Sequence, residues 1–376
     1  MKIRTLFVIV LILLIAEFSY GQDPNFNFIG AGARARGMGG AFIGLADDAT
    51  AMSWNPAGLS KLETPEASVV GSISNYSVSS DIEDFDEDPY KSSHANLNFI
   101  SGAIPLNVGE RNLVAGISYQ QIMDLYYSYD EEDWYREERT GGVYAITPAV
   151  GVQLTPTFSL GASVNIYTGK TEYEYEDYED DFFDESAEYN FSGTNFNIGA
   201  LFDYDKFRFG AVFKTAFDLK EELDGGDYEG EIGMPNIFGL GLSYVATENL
   251  TLAADYEMRS FSESEISVNG ESSSLEWEDV NQFRIGGEYL YISGTNIIPL
   301  RLGFATTPSL YADSEGDQIT GFNVTGGVGI IMGNINLDLG VEYNKFSYEI
   351  QGNRESFDYS ENYLRFIIAG VFHFNN

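Results

Sequence analysis

The chain has two histidines, His94 and His373, and no cysteine. Acyl transfer through an activated serine needs a histidine base within hydrogen-bond reach. His94 opens a strand after an acidic loop and His373 closes the last strand. The topology below sets them at opposite membrane faces, and neither sits in a motif, so both read as rim histidines. Asp84, Asp86 and Asp88 are spaced like the first half of a calcium loop. Pro89 stands where that loop needs its turning glycine, and no glutamate follows at the twelfth position. Loose screening by divalent cations, shared with lipopolysaccharide phosphates, is therefore expected in place of a metal site. A glycine-rich run over 31–44 could suggest a phosphate cradle, but no lysine follows at the required spacing and no strand precedes it. The residues thus predict no catalytic group, no metal and no cofactor. A net charge of −38 also excludes nucleic-acid binding through phosphates.

The elements that would position these residues are strands of period two. Leu337, Leu339, Val341 and Tyr343 alternate with Asn336, Asp338, Gly340 and Glu342. The segments 158–167 and 250–259 alternate in the same way, as a wall does with lipid on one side and polar groups on the other. This reading yields fourteen strands, near 66–80, 94–106, 113–127, 139–153, 158–173, 189–203, 206–218, 232–246, 250–262, 278–292, 297–306, 320–332, 335–349 and 360–374. Short turns follow the even strands and longer loops the odd ones, the asymmetry of a barrel with periplasmic turns and external loops. Seven loop windows (81–93, 128–138, 172–188, 218–231, 263–279, 307–319 and 349–361) hold 42 of the 58 Asp and Glu. A charge facing lipid at midplane costs about 2–4 kcal/mol for Arg or Lys, so a membrane wall requires such a separation. The predicted fold class is all-β: a 14-stranded antiparallel transmembrane β-barrel over 66–376.

Lys2, Arg4 and the 11-residue apolar run Leu6–Ala16 read as a signal peptide over 1–21, with cleavage before Gln22. The run is too short for a spanning helix, which needs roughly 20 apolar residues. Residues 22–65 do not alternate. Within them Asn55 is suited to cap a short helix with Pro56 at its first position. Gly32-Ala33-Arg34-Ala35, Gly37-Met38-Gly39-Gly40-Ala41, Ala46-Asp47-Asp48-Ala49 and Asn55-Pro56-Ala57-Gly58-Leu59 resemble the start of the long-chain fatty-acid transporter (FadL) family. The same opening also resembles PorV-type barrels, which handle exported proteins. The FadL resemblance implies a fourteen-stranded barrel and a partly helical hatch over 22–65. It marks Arg34, Gly37, Gly39, Gly40, Asp47, Asp48, Asn55, Pro56 and Ala57 as the hatch motif. The chain is short for that family and does not end on an aromatic residue.

Alternation places Arg208, Lys214, Asp255, Glu257, Arg259, Arg284, Glu288, Arg301, Asp338, Glu342 and Arg365 on the lumen side. Both signs fall on neighbouring strands, so pairing across the lumen and to the hatch is expected. Passive uptake of small hydrophobic molecules is the leading expectation. Ligand would first meet Trp134, Tyr135, Phe182 and Phe183 in the outer loops, residues that could equally form an interfacial girdle. The acidic face would repel an anion within roughly 8–10 Å at ordinary salt, which favours neutral hydrocarbons or protonated acids. A secretion-associated barrel and a structural barrel are the alternatives. The expected setting is the outer membrane with both termini periplasmic. The expected partners are membrane lipid, lipopolysaccharide and the barrel-assembly machinery, around a monomer.

Overall fold

Inward-facing glycines allow the wall of this protein to close around a piece of its own chain. The computed structural model describes residues 25–26, 30–81, 90–109, 111–131, 134–178, 185–294, 296–351 and 356–374. The signal-peptide segment, Asp84, Asp86, Asp88, Phe182 and Phe183 lie outside the described residues. Fourteen antiparallel strands form the wall. They are β1 Glu66–Asp81, β2 Tyr90–Val108, β3 Arg111–Asp124, β4 Tyr135–Thr155, β5 Phe158–Asp177 and β6 Glu185–Tyr204. β7 runs over Phe207–Lys214 and resumes at Phe217–Leu223; β8 runs over Glu229–Met234 and resumes at Ile237–Thr247. β9 Leu250–Arg259, β10 Val280–Ser293, β11 Asn296–Ala312, β12 Gln318–Met332, β13 Ile335–Gln351 and β14 Ser356–His373 complete it. β1 pairs with β14 from Glu66↔His373 to Asp81↔Asp358, so the sheet closes on itself and leaves no edge.

The outward positions are apolar and exposed, among them Ile73, Ile104, Ile198, Phe283, Leu302 and Ile368. Their inward neighbours, such as Ser72, Ser101, Asn197 and Arg284, are buried. The fourteen-strand expectation agrees with the structure; several boundaries do not. β4 starts four residues before the expected 139 and β5 runs four past 173, because Tyr135↔Asp177 continues their ladder beyond the apolar belt. Part of the acid expected in loops therefore lies on strands.

The expected seventh and eighth strands are each broken. Pro235 has no N–H to give to a ladder. Asn236 turns its Oδ1 to the Ala216 N–H at 2.8 Å, and the Asn195 Nδ2 bonds the Thr215 carbonyl at 3.1 Å. Each break reverses which residues face inward. Phe209, Phe213 and Phe238 face lipid, whereas Leu219 and Met234 beyond the breaks are buried.

Residues 30–62 lie within the wall as α1 Ala33–Gly37, α2 Ala51–Trp54 and a 3₁₀ turn Pro56–Lys61. Asn55 caps that turn, its Oδ1 accepting the Ala57 N–H at 3.2 Å. The wall backbone comes very close here. A Cβ on Gly161 would sit 2.2 Å from the Pro56 carbonyl carbon, and one on Gly303 2.0 Å from the Gly39 nitrogen. Neither site can accept a side chain without moving the segment. We expect Gly161→Leu and Gly303→Leu each to cost about 3 kcal/mol or more through overpacking. Gly102→Leu, with open space around its Cβ, should fold as the wild type does. Heat-modifiable mobility after refolding into lipid vesicles measures the difference.

Candidate functional site

The internal segment carries backbone donors and acceptors into a space without bulk water, and each must find a partner. Asp255 on β9 takes the Phe42 and Ile43 N–H groups on its Oδ2 at 2.6 and 2.7 Å. Asn55 donates through Nδ2 to the carbonyls of Ile43 and Ala200, both at 3.1 Å. Thr325 on β12 accepts the Gly39 N–H at 2.9 Å and donates to the Gly37 carbonyl at 3.1 Å. Gly39 and Gly40, at φ +69° and +74°, make a turn that other residues would strain to adopt. Gly37 passes against Gly327 of β12, and Pro56 and Ala57 are fully packed.

Ion pairs fasten the same segment to the far half of the wall. Arg34 grips Glu288 of β10 with Nε and Nη2, each at 3.0 Å, and reaches Asp47 at 2.6 Å and Asp48 at 3.6 Å. Burial pushes the Asp48 carboxyl up from its ordinary value, with Arg34 pulling the other way. Arg36 grips Glu342 of β13 at 2.7 and 2.8 Å, with Arg365 3.6 Å away on β14. Arg301 joins Glu288 at 2.7 Å to Asp338 at 2.5 Å, and Glu257 holds Arg259 at 2.5 Å and Arg284 at 2.9 Å. Arg208 bonds Asp203 at 2.7 Å and the Leu45 carbonyl at 2.8 Å. Every residue of the expected lumen-charge set therefore sits inside the wall in one of these contacts. Lys214 reaches the Ser53 carbonyl at 3.4 Å.

Against β3–β8 the lining is different. Gln120, Asn165, Asn195 and Asn197 make a neutral polar floor beside Ser53 and Lys214. Toward the loop end the inward residues turn apolar: Ile122, Met123, Val143, Tyr167, Phe191, Leu219 and Met234 pack as one buried cluster, with Phe217 against it. Phe217 stacks on Tyr167 at 4.3 Å, and Phe261 meets Trp277 edge-on at 5.7 Å within the same cluster. A narrow cleft separates floor from cluster.

Sequence reasoning missed this apolar chamber, which its own side chains fill but for the narrow cleft. It assumed that inward residues are polar, and it could not see the reversals at Ala216 and Asn236 that turn Phe217, Leu219 and Met234 inward. A bulge at Gln121–Met123 does the same for Met123. Of the expected access aromatics, Trp134 stands 67% exposed outside the chamber and Tyr135 is half-buried. The two histidines lie at opposite ends of the wall. His94 sits inside β2, not at its opening, with Nε2 2.6 Å from Asp124 and Tyr126 stacked at 4.2 Å; His373 lies 3.5 Å from Glu66.

Closed fourteen-stranded wall, filled lumen and apolar outer face define a membrane-spanning β-barrel with a FadL-like fold. The BamG family profile matches residues 3–224 and 210–372, and the chain belongs to that family. The fold is shared with a FadL homologue of Pseudomonas aeruginosa, at 12% identity and a TM-score of 0.70 over 92% of this chain and 99% of that one. It is shared also with the toluene transporter TodX of P. putida, at 15% identity and 0.66 over 93% and 100%. The Ralstonia pickettii toluene transporter TbuX matches at 16% and 0.61 over 93% and 100%. No curated protein matches the sequence. The PorV-type resemblance of the opening motif draws no support from these matches.

Removing one member of a buried, hydrogen-bonded pair strands the other charge, at about 3–5 kcal/mol. Arg36→Ala should lose about that much against denaturant in vesicles, whereas exposed Trp134→Ala should stay within about 0.5 kcal/mol of wild type.

Proposed function

We propose that this barrel admits small hydrophobic compounds from its loop end, and that residues 22–65 act as the hatch beneath. The observation that carries this reading is the buried apolar cluster on the loop side of the polar layer, with a narrow cleft between the two. A barrel serving only as structure would be expected to keep a polar interior along its whole length. The neighbours named for toluene transport support the reading through shared fold alone. A neutral monoaromatic or short hydrocarbon suits an apolar cluster under an acidic rim better than an anion does. The loop end faces outward and both termini lie toward the periplasm, following the division between short turns and long loops. The mature chain is taken as a monomer surrounded by lipid and lipopolysaccharide, after removal of 1–21.

A second reading rests on a different observation. The hatch is held by paired charges from β10 to β14 and by wall backbone from β5 to β12, a fixed plug more than a loose door. Together with membership of the BamG family, whose name points to barrel assembly, this favours a scaffold associated with the barrel-assembly machinery.

Filling or charging the chamber tests the first reading. With expression and folded fraction matched, Ala145→Phe and Met234→Lys, both at buried cluster positions, should cut the initial uptake rate of a radiolabelled monoaromatic hydrocarbon at least fivefold. Rates within twofold of wild type in both variants defeat uptake. The scaffold reading then predicts that depleting the chain lowers the folded amount of other outer-membrane barrels.

A further inference from the structure

Beyond the lipid-facing belt, the inward faces of the strands carry tyrosines. Tyr76 shares its face with buried Ser72 and Ser74, while Ile73 faces lipid. Tyr363 lies on the face of buried Arg365, opposite lipid-facing Leu364 and Phe366. These rings therefore do not belong to an interfacial girdle, which points outward. They run in unbroken succession along the part of the mouth from β14 to β5. Tyr363 lies 4.4 Å from Tyr76, Tyr76 6.0 Å from Tyr90, Tyr90 5.9 Å from Tyr129, Tyr129 5.8 Å from Tyr135, and Tyr135 5.5 Å from Tyr175.

Carboxylates alternate with the rings. Across the short strand Tyr127–Glu131, β4 and β5, one register row reads Tyr129, Glu137, Tyr175, and the next reads Glu131, Tyr135, Asp177. The row below reads Tyr127, Arg139, Tyr173. The protein thus already seats one guanidinium on this face. Arg139 lies 6.0 Å over the Tyr189 ring and 3.2 Å from the Glu221 carboxylate, whose other oxygen accepts the Tyr228 hydroxyl at 3.3 Å.

We propose that the tyrosine–carboxylate checkerboard on the inner face of the mouth binds an extended, arginine-rich polypeptide segment. The rings offer faces to planar cations, the carboxylates offer bidentate partners, and the chain's charge of −38 draws cations to this end. The succession of six rings is longer than one small cation can cover, which selects a ligand with repeated guanidinium groups. Arginine is preferred over lysine because its planar group stacks as well as pairs. This site stands apart from the apolar chamber and does not depend on uptake.

The test uses the full-length barrel in detergent and fluorescein-labelled nona-arginine or nona-lysine at 150 mM salt, read by anisotropy. Tyr129→Leu, Tyr135→Leu and Tyr175→Leu combined leave every charge in place. The triple variant should weaken nona-arginine at least tenfold and nona-lysine less than twofold. The corresponding triple Phe variant, which keeps the rings, should stay within threefold of wild type. Equal nona-arginine affinity in wild type and the Leu triple overturns the proposal, as does equal loss for both peptides. Displacement of nona-arginine by equimolar tetramethylammonium also overturns it, in favour of a small-cation pocket. Should the Leu triple fail to fold, Glu137→Gln gives the second reading: a threefold or greater loss for nona-arginine supports the checkerboard, and no loss overturns it.

Discussion

A polypeptide segment inside a barrel must satisfy its N–H and C=O groups against the wall, because bulk water is excluded. Most other features here follow from that constraint. Asp255, Asn55 and Thr325 supply hydrogen bonds to the hatch backbone at Phe42, Ile43, Gly37 and Gly39. Such bonds need close approach, and the wall permits it at glycines such as Gly161, Gly199, Gly241 and Gly303, which carry no side chain. The glycines of the wall and those of the hatch thus answer the same requirement from opposite sides.

The interior is divided by the same logic. Arg34 and Arg36 enter the lumen on α1, so the strands beside that helix supply Glu288 and Glu342, and these in turn are balanced by Arg301 and Arg365. Buried charges demand such closure, since an unpaired one is costly. The β3–β8 side faces the turn Pro56–Lys61, and there amides and hydroxyls stand beside a smaller set of charges, Lys61 and Arg208 around Asp203 of β6. Above the hatch no backbone remains to be satisfied, and the inward positions turn apolar. The chamber is where the plug stops.

The irregularities of the wall are its functional geometry. A regular strand keeps one set of residues inward for its whole length. The breaks at Ala216 and Asn236 and the bulge at Gln121–Met123 exchange those sets partway along β7, β8 and β3. The wall can then present lipid-facing Phe209 and Phe238 below and chamber-lining Leu219 and Met234 above. Bulges and breaks re-aim side chains in this way in many sheets.

Much of this is legible in the sequence. Alternation over segments such as 158–167 and 336–343 specified wall strands, because the period of two is local to the chain. The capping of a short turn by Asn55 and the inward side of Arg284, Glu288 and Glu342 were legible for the same reason, whereas much of the acid expected in loops lies on strands that run past the apolar belt. Which charge meets which, and whether Phe217 faces lipid or lumen, were not. Glu342 and Arg36 lie 306 residues apart, and the facing of Phe217 depends on a strand break stabilised by Asn236 of the neighbouring strand. By itself the sequence determined a fourteen-stranded barrel, since local periodicity and turn chemistry suffice for that, while the internal segment was implied by the resemblance of its opening motif. Only the tertiary structure decided that the lumen is clamped on one side and apolar above, and that its mouth alternates tyrosine with carboxylate. Those properties arise from register between strands distant in the chain.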